Sequence, residues 1–176
     1  MKKHLLFSLL IAGSLFLSLT AARTAQAQIP GAFLSAGALG GIQSSNVPGI
    51  GAGNFYAVRG SFASFFGEMR HANWGGSDAY INDNGILGGM DFSLLGITLS
   101  GAVGVGSATY QAPVVAGIAP APQSYTSFLY EAQAMYPIHI VGDFITAGVG
   151  VNYIGEANSV QPIAGWGGVA SLNIGL

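Results

Sequence analysis

Ile145-Thr146-Ala147-Gly148-Val149-Gly150-Val151-Asn152-Tyr153 decides the fold, because its larger apolar residues fall on odd positions and its small or polar residues on even ones. A period of two belongs to a β-strand, where successive side chains point to opposite faces of the sheet. The pattern recurs upstream. Tyr56, Val58, Phe62 and Phe66 alternate with Ala57, Arg59, Ser61 and Ala63. Ile97, Leu99, Val103 and Val105 alternate with Thr98, Ser100, Ala102 and Gly104, and Phe128, Tyr130, Ala132, Ala134 and Tyr136 with Ser127, Leu129, Glu131 and Gln133. The runs are bounded by Gly, Asn and Pro, the residues that punctuate strands.

Composition says which medium the apolar face meets. The chain is 51% hydrophobic and 7% charged, with 28 glycines, whereas an ordinary soluble domain is ~25% charged. A water-facing surface can barely be built from this. Helical spanning is excluded too, since it takes ~20 nearly unbroken apolar residues. The best stretch after Gln28, Ile86 to Val105, is interrupted by Asp91, Ser93, Thr98, Ser100 and its glycines. The other structure that satisfies its backbone within lipid is a closed β-barrel.

The N-terminal residues fit export to such a membrane. Lys2 and Lys3 precede an apolar run from Leu5 to Leu19, and Ala25-Gln26-Ala27 places small residues at cleavage spacing. These are the three parts of a secretory signal peptide. The expectation is therefore a leader over 1–27 and a mature barrel over 28–176. Beyond the leader, Arg59 and Arg70 are the only Lys or Arg residues against seven acids. No basic patch can neutralise a nucleic-acid backbone, so that partner class is dropped. Without cysteine, the chain is held by burial or by the membrane rather than by disulfides.

Connections alternate between short and long. Short turns are expected near Phe66-Gly67-Glu68, Leu95-Gly96 and Ile138 to Gly142, and longer ones at Gln43 to Gly53, Ile81 to Gly85, Gln111 to Gln123 and Gly155 to Gln161. Four long and three short connections give eight strands, expected over about 31–42, 54–66, 69–80, 86–95, 97–110, 124–136, 143–155 and 162–176. Outer-membrane barrels keep short turns on the periplasmic side, which puts both termini there. Tyr56, Tyr110, Tyr153 and Trp166 fall near the expected outer ends and Phe66, Phe92 and Tyr136 near the inner ends, as aromatic belts would.

A leader, eight alternating segments and a final strand Gly168-Val169-Ala170-Ser171-Leu172-Asn173-Ile174-Gly175-Leu176 together resemble the small outer-membrane barrels of OmpA and OmpX type from Gram-negative bacteria. The resemblance is architectural and spans the mature chain. It implies a monomer in outer-membrane lipid, delivered by the assembly machinery, with loops 43–53 and 111–123 free to meet an extracellular ligand. Leu176 stands where that family usually ends in an aromatic residue.

Parity singles out a lumen site. If Tyr56, Val58 and Phe62 face lipid, Arg59 faces inward, and so do Asp91 and Glu131. Charges at that depth need a partner, so an Arg59–Asp91–Glu131 network is expected. It could serve as a gate, which the OmpA resemblance implies, or as a structural plug filling a narrow interior. Gly104, Gly106, Gly148, Gly150, Gly165 and Gly167 share the inner parity. They either leave part of the lumen empty or ease the coiling of a narrow barrel.

Three other features carry less. His71, Ser77 and Asp78 have the residue types of acyl transfer, and a lipid-modifying enzyme is the alternative to a non-enzymatic barrel; a polar strand end explains them equally well. Gly101 to Gly106 lacks the following helix a phosphate loop requires. His4, His71 and His139 lack metal-ligand spacing, and no cofactor is expected.

Overall fold

The computed structural model describes residues 34–115, 120–158 and 160–175. The expected leader over 1–27 lies outside them. Eight strands form a closed antiparallel barrel in which each strand pairs with its sequence neighbours and the last pairs with the first. They are β1 (Leu34–Gln43), β2 (Gly53–Phe62), β3 (Phe65–Gly75), β4 (Tyr80–Leu94), β5 (Ile97–Gln111), β6 (Gln123–Val141), β7 (Ile145–Ala157) and β8 (Ile163–Gly175). Closure removes every free edge, so the ladder satisfies its own backbone.

The register fixes the tilt. Partners traced from Gly37 through Arg59, Glu68, Leu87, Gly104, Leu129 and Glu156 lead to Ile163. Gly37 itself pairs with Asn173, ten residues further along β8. A stagger of that size in eight strands tilts them by roughly 35–45° and leaves an interior just wide enough for side chains to fill.

Three expected boundaries move, one of them the β6–β7 turn, which lies at 142–144 rather than at Ile138 to Gly142 because β6 continues to Val141. The β2–β3 turn sits at Ala63-Ser64, with Ala63 in the left-handed region at φ 53°, rather than at Phe66-Gly67-Glu68. The next long-loop connection lies at 76–79 rather than 81–85. Moving the turn reverses the parity of the residues beyond it. Phe66 is therefore inside the barrel, 6% exposed, and not on the lipid face, while Phe65 takes the outward place. Likewise β3 is Phe65–Gly75 rather than 69–80.

The other turns reflect their residues. Leu95 and Gly96 both have positive φ, at 53° and 80°, the two-residue hairpin geometry that matches strand twist. At the opposite end, Val47-Pro48-Gly49-Ile50 closes with Ile50 N–H donating to the Val47 carbonyl at 3.1 Å. Pro48 presets the first turn position and Gly49, at φ 83°, supplies the second. That turn folds the β1–β2 loop inward, where Val47 and Ile50 are buried with Trp74, Ile81, Ile154 and Ile163. An apolar cap thus closes the lumen at the long-loop end, with Tyr110 packed against it rather than standing in an outer belt.

Candidate functional site

Below the cap the lumen holds a charged network packed among the apolar side chains of Phe66, Leu87 and Leu129. Arg59, on the inward face of β2, meets the opposing β3 residue: Nε and Nη2 lie 2.8 and 2.7 Å from Oε2 of Glu68. Its Nη1 is 3.5 Å from Asp91 Oδ1 and its Nη2 3.5 Å from Glu131 Oε1. The guanidinium carbon lies 3.7 Å from the centre of the Phe66 ring, a cation–π contact inside the barrel. Gln133 joins through its amide, donating to Glu131 and accepting from Arg59 at 3.4 Å. The structure thus brings together Arg59, Asp91 and Glu131.

A second tier stands above the first. Arg70 places Nη2 3.0 Å from Asp83 Oδ2 and donates to the carbonyls of Tyr130 and Gly155 at 3.3 and 3.4 Å. Its Nη1 lies 3.7 Å from Glu131 Oε2, so Glu131 ties the two tiers. Higher still, Glu156 accepts from the Tyr125 hydroxyl at 3.0 Å and the Asn158 amide at 3.3 Å, and Gln43 donates to Asn152 at 2.8 Å. Sequence reading missed Glu68, Arg70, Asp83, Gln133 and Glu156 as members of this network. Their signal was parity, legible for Gln133 but lost for Glu68 and Arg70 with the preceding turn expected elsewhere, and for Asp83 and Glu156 because both fell in expected connections.

The inward glycines belong to packing. A Cβ on Gly104 would strike the Ile86 carbonyl, one on Gly150 the Ala134 carbonyl, and one on Gly167 the Ile42 carbonyl. Strong coiling brings the neighbouring strand's backbone beneath these positions. Leu129 crosses over Gly85 and Gly106, and Met135 reaches Gly148. The glycine side is occupied rather than hollow.

The candidate enzyme residues do not converge. His71 faces outward on β3, its Nδ1 2.7 Å from Asn84 Oδ1 and its ring centre 4.8 Å from that of Tyr56. Ser77 donates to Asp78 at 3.1 Å in the next loop. No hydrogen bond among the described residues joins His71 to either. His139 lies 3.1 Å from Asp143 in an exposed short turn.

The outward face is apolar toward the short-turn end, where Phe62, Phe65, Met69 and Leu94 are all more than half exposed. Toward the long-loop end it carries an aromatic series: ring centres of Tyr130 and Tyr153 are 6.1 Å apart, and those of Tyr153 and Trp166 4.9 Å. The fold is that of the small eight-stranded outer-membrane barrels. The N-terminal β-barrel domain of Pseudomonas aeruginosa OprF aligns with a TM-score of 0.57 at 9% identity, covering 79% of this chain and 97% of that one. Neisserial surface protein A aligns at 0.53 and 10% identity, covering 81% and 96%. Ail, the attachment invasion locus protein of Yersinia pestis, solved with the heparin analogue sucrose octasulfate, aligns at 0.53 and 17% identity, covering 80% and 98%. No family model matches the sequence, and no curated protein matches it.

Proposed function

We propose that the mature chain, residues 28–176, is a monomeric outer-membrane barrel that conducts nothing and acts through its outer surface, as a structural or surface-binding protein. The observation that carries this reading is the filled lumen. Arg59, Glu68, Arg70, Asp83 and Glu131 are each at most 6% exposed, and the Val47–Ile50 turn caps them. An ion would have to break several charge-assisted hydrogen bonds and displace the cap. Removal of 1–27 after export and insertion by the outer-membrane assembly machinery complete the proposal, supported by the leader pattern and the shared fold.

Its surface chemistry differs from that suited to a polyanion such as the one bound in the Ail structure. Arg59 and Arg70 both face the lumen, and the remaining Lys and Arg residues lie within 1–27. The loop residues beyond the barrel are chiefly small, apolar or proline, with Val114 and Val115 both exposed. An extracellular partner of loops 43–53 and 111–123 would be met through apolar contact. Planar-bilayer recording of the refolded chain tests the sealed lumen: unitary conductance steps from the unaltered chain would refute it. Altered lipid A acylation in cells producing the protein would favour the enzymatic alternative instead.

A further inference from the structure

Two rows of outward side chains cross five strands without a break. In one, Asn54 on β2 stands opposite Asn73, and the row continues around the barrel through Asn82, Thr109 and Ser124. In the other, Tyr56, His71, Asn84, Ser107 and Thr126 stand in register. The next row toward the short-turn end is Val58, Met69, Ile86, Val105 and Phe128, wholly apolar. On this side the apolar surface ends along a register row, which the strand tilt inclines to the membrane plane, and the two rows form a polar shelf that rises obliquely from the apolar limit. With strands ~4.8 Å apart, the shelf is roughly 20 Å wide.

Its chemistry is uniform. Neither row holds Lys, Arg, Asp or Glu. Asn54 and Asn73 offer amide donors and a carbonyl acceptor; Asn82, whose Oδ1 is buried, and Asn84, whose Oδ1 faces His71, offer amide donors; and the hydroxyls of Ser107, Thr109, Ser124 and Thr126 offer both roles in one atom. Local contacts order the array: His71 is held by Asn84, and the Thr109 and Ser124 hydroxyls lie 3.2 Å apart. A headgroup layer rich in phosphate calls for cations at this depth, and both arginines of the mature chain are in the lumen. A surface meeting only water ordinarily mixes charges of both signs.

We propose that the shelf receives the uncharged, hydroxyl-bearing sugar headgroups of glycolipids in the leaflet at the long-loop end. The inference rests on the membrane reading of the fold. Sugar hydroxyls are donors and acceptors together, which matches an amide and hydroxyl ladder and needs no counter-charge. Tyr56, at the corner of the shelf and 60% exposed, offers a ring face to a sugar at the apolar limit.

The test reconstitutes the full mature chain into nanodiscs of phosphatidylcholine, phosphatidylglycerol and digalactosyl diacylglycerol in equal parts, then identifies retained lipids by native mass spectrometry. Digalactosyl lipid should be enriched about tenfold over phosphatidylcholine, the effect of one or two net hydrogen bonds. The Asn73→Ala, Asn82→Ala, Asn84→Ala variant should abolish that preference while keeping heat-modifiable migration on gels. Where that variant does not fold, Asn54→Ser with Asn73→Ser removes two amides and keeps polarity, and should reduce the enrichment. Equal retention of all three lipids, preference for phosphatidylglycerol, or enrichment surviving the substitutions overturns the proposal. So does binding of free digalactosyl glycerol in detergent without enrichment of the lipid. A chain that inserts into no bilayer overturns the membrane reading itself, and insertion is scored separately.

Discussion

The two ends of this barrel obey opposite rules. In the short-turn half, Val58, Phe62, Phe65 and Met69 point outward, while Arg59, Glu68 and Glu131 point inward beside Phe66, Leu87 and Leu129. In the long-loop end, Asn54, Asn73 and Asn82 point outward while Phe55, Trp74 and Ile81 are buried within. The strands are continuous through the change, so the backbone does not impose it; the surrounding medium does. Where lipid surrounds the wall, apolar groups stay outside and polar groups must be satisfied in the lumen. Beyond the apolar row the hydrocarbon ends, the outward face turns polar, and apolar side chains such as Trp74 and Ile81 move inside. A protein with so few charges uses both arrangements in strands as short as β2 and β3.

The largest effect should come from breaking the polar lumen. Arg59→Ala leaves Glu68, Asp91 and Glu131 facing one another without their shared cation, and removing one partner of a buried ion pair costs ~3–5 kcal/mol. Urea unfolding from detergent micelles should show that loss. Adding Glu68→Gln should recover a large part, because Glu68 makes the two shortest contacts to Arg59. If the single and double variants unfold together with the wild type, the network contributes nothing to stability and the inward parity of β2 is wrong.

Breaking the apolar end comes next. Ile81 is fully buried in the cap, and Ile→Ala in a core costs ~2–5 kcal/mol. The loss should be accompanied by local opening of the long-loop end. Hydrogen exchange should therefore quicken in 44–52 and at the top of β3 and β4, while the Arg59 tier stays protected. Exchange rising evenly through both halves would mean that the barrel is one cooperative unit.

The change of rule explains what the sequence yielded and what it withheld. Strands β5, β6 and β7 have long stretches within the apolar zone, and their alternation located them and assigned Glu131 and Gln133 inward. Strand β3 is harder to read because the sign of its pattern is inverted over half its length: Arg70 is inside at one level, and Trp74 is inside at another. A rule of apolar outside finds no consistent face there. The turn before it also lacks a marker, since Ala63 adopts a positive φ without being Gly, Asn or Asp, while Gly67 nearby carries the composition of a turn. Arg59, Asp91 and Glu131 were legible because their neighbours alternate cleanly. Glu68, Arg70 and Asp83 depended on the misplaced β2–β3 turn or on the inverted segment.

The boundary itself can be located by placing a charge on either side of it. Val58 and Asn54 lie on one strand and one face, and both are exposed. Val58→Arg, one register row inside the apolar limit, should cost less than the ~2–4 kcal/mol of a cation at the bilayer midplane but clearly more than Asn54→Arg, which should cost ~0–1 kcal/mol, as near the interface. Folding titrations in phosphatidylcholine vesicles measure both. Equal costs would place the limit of the membrane elsewhere and detach the polar shelf from it.

The smallest effect tests how the strands approach one another. Gly150 faces the lumen on β7, where a Cβ would meet the Ala134 carbonyl and lie 2.8 Å from the Met135 Cα. Both are backbone atoms, so no side chain can turn aside, and β6 must shift away from β7. Overpacking of this kind costs ~1–3 kcal/mol. Gly88, on the outward face of β4, would place the same methyl group in open space. There Ala removes a residue with high unfolded-chain entropy and adds apolar surface toward lipid, so Gly88→Ala should be neutral or stabilising by up to ~1 kcal/mol. Comparing the two variants in a single urea series separates glycine as a backbone spacer from glycine as a merely tolerated residue. Equal behaviour would mean that the strands are less closely coiled at β6–β7 and that the inner glycine side is open after all.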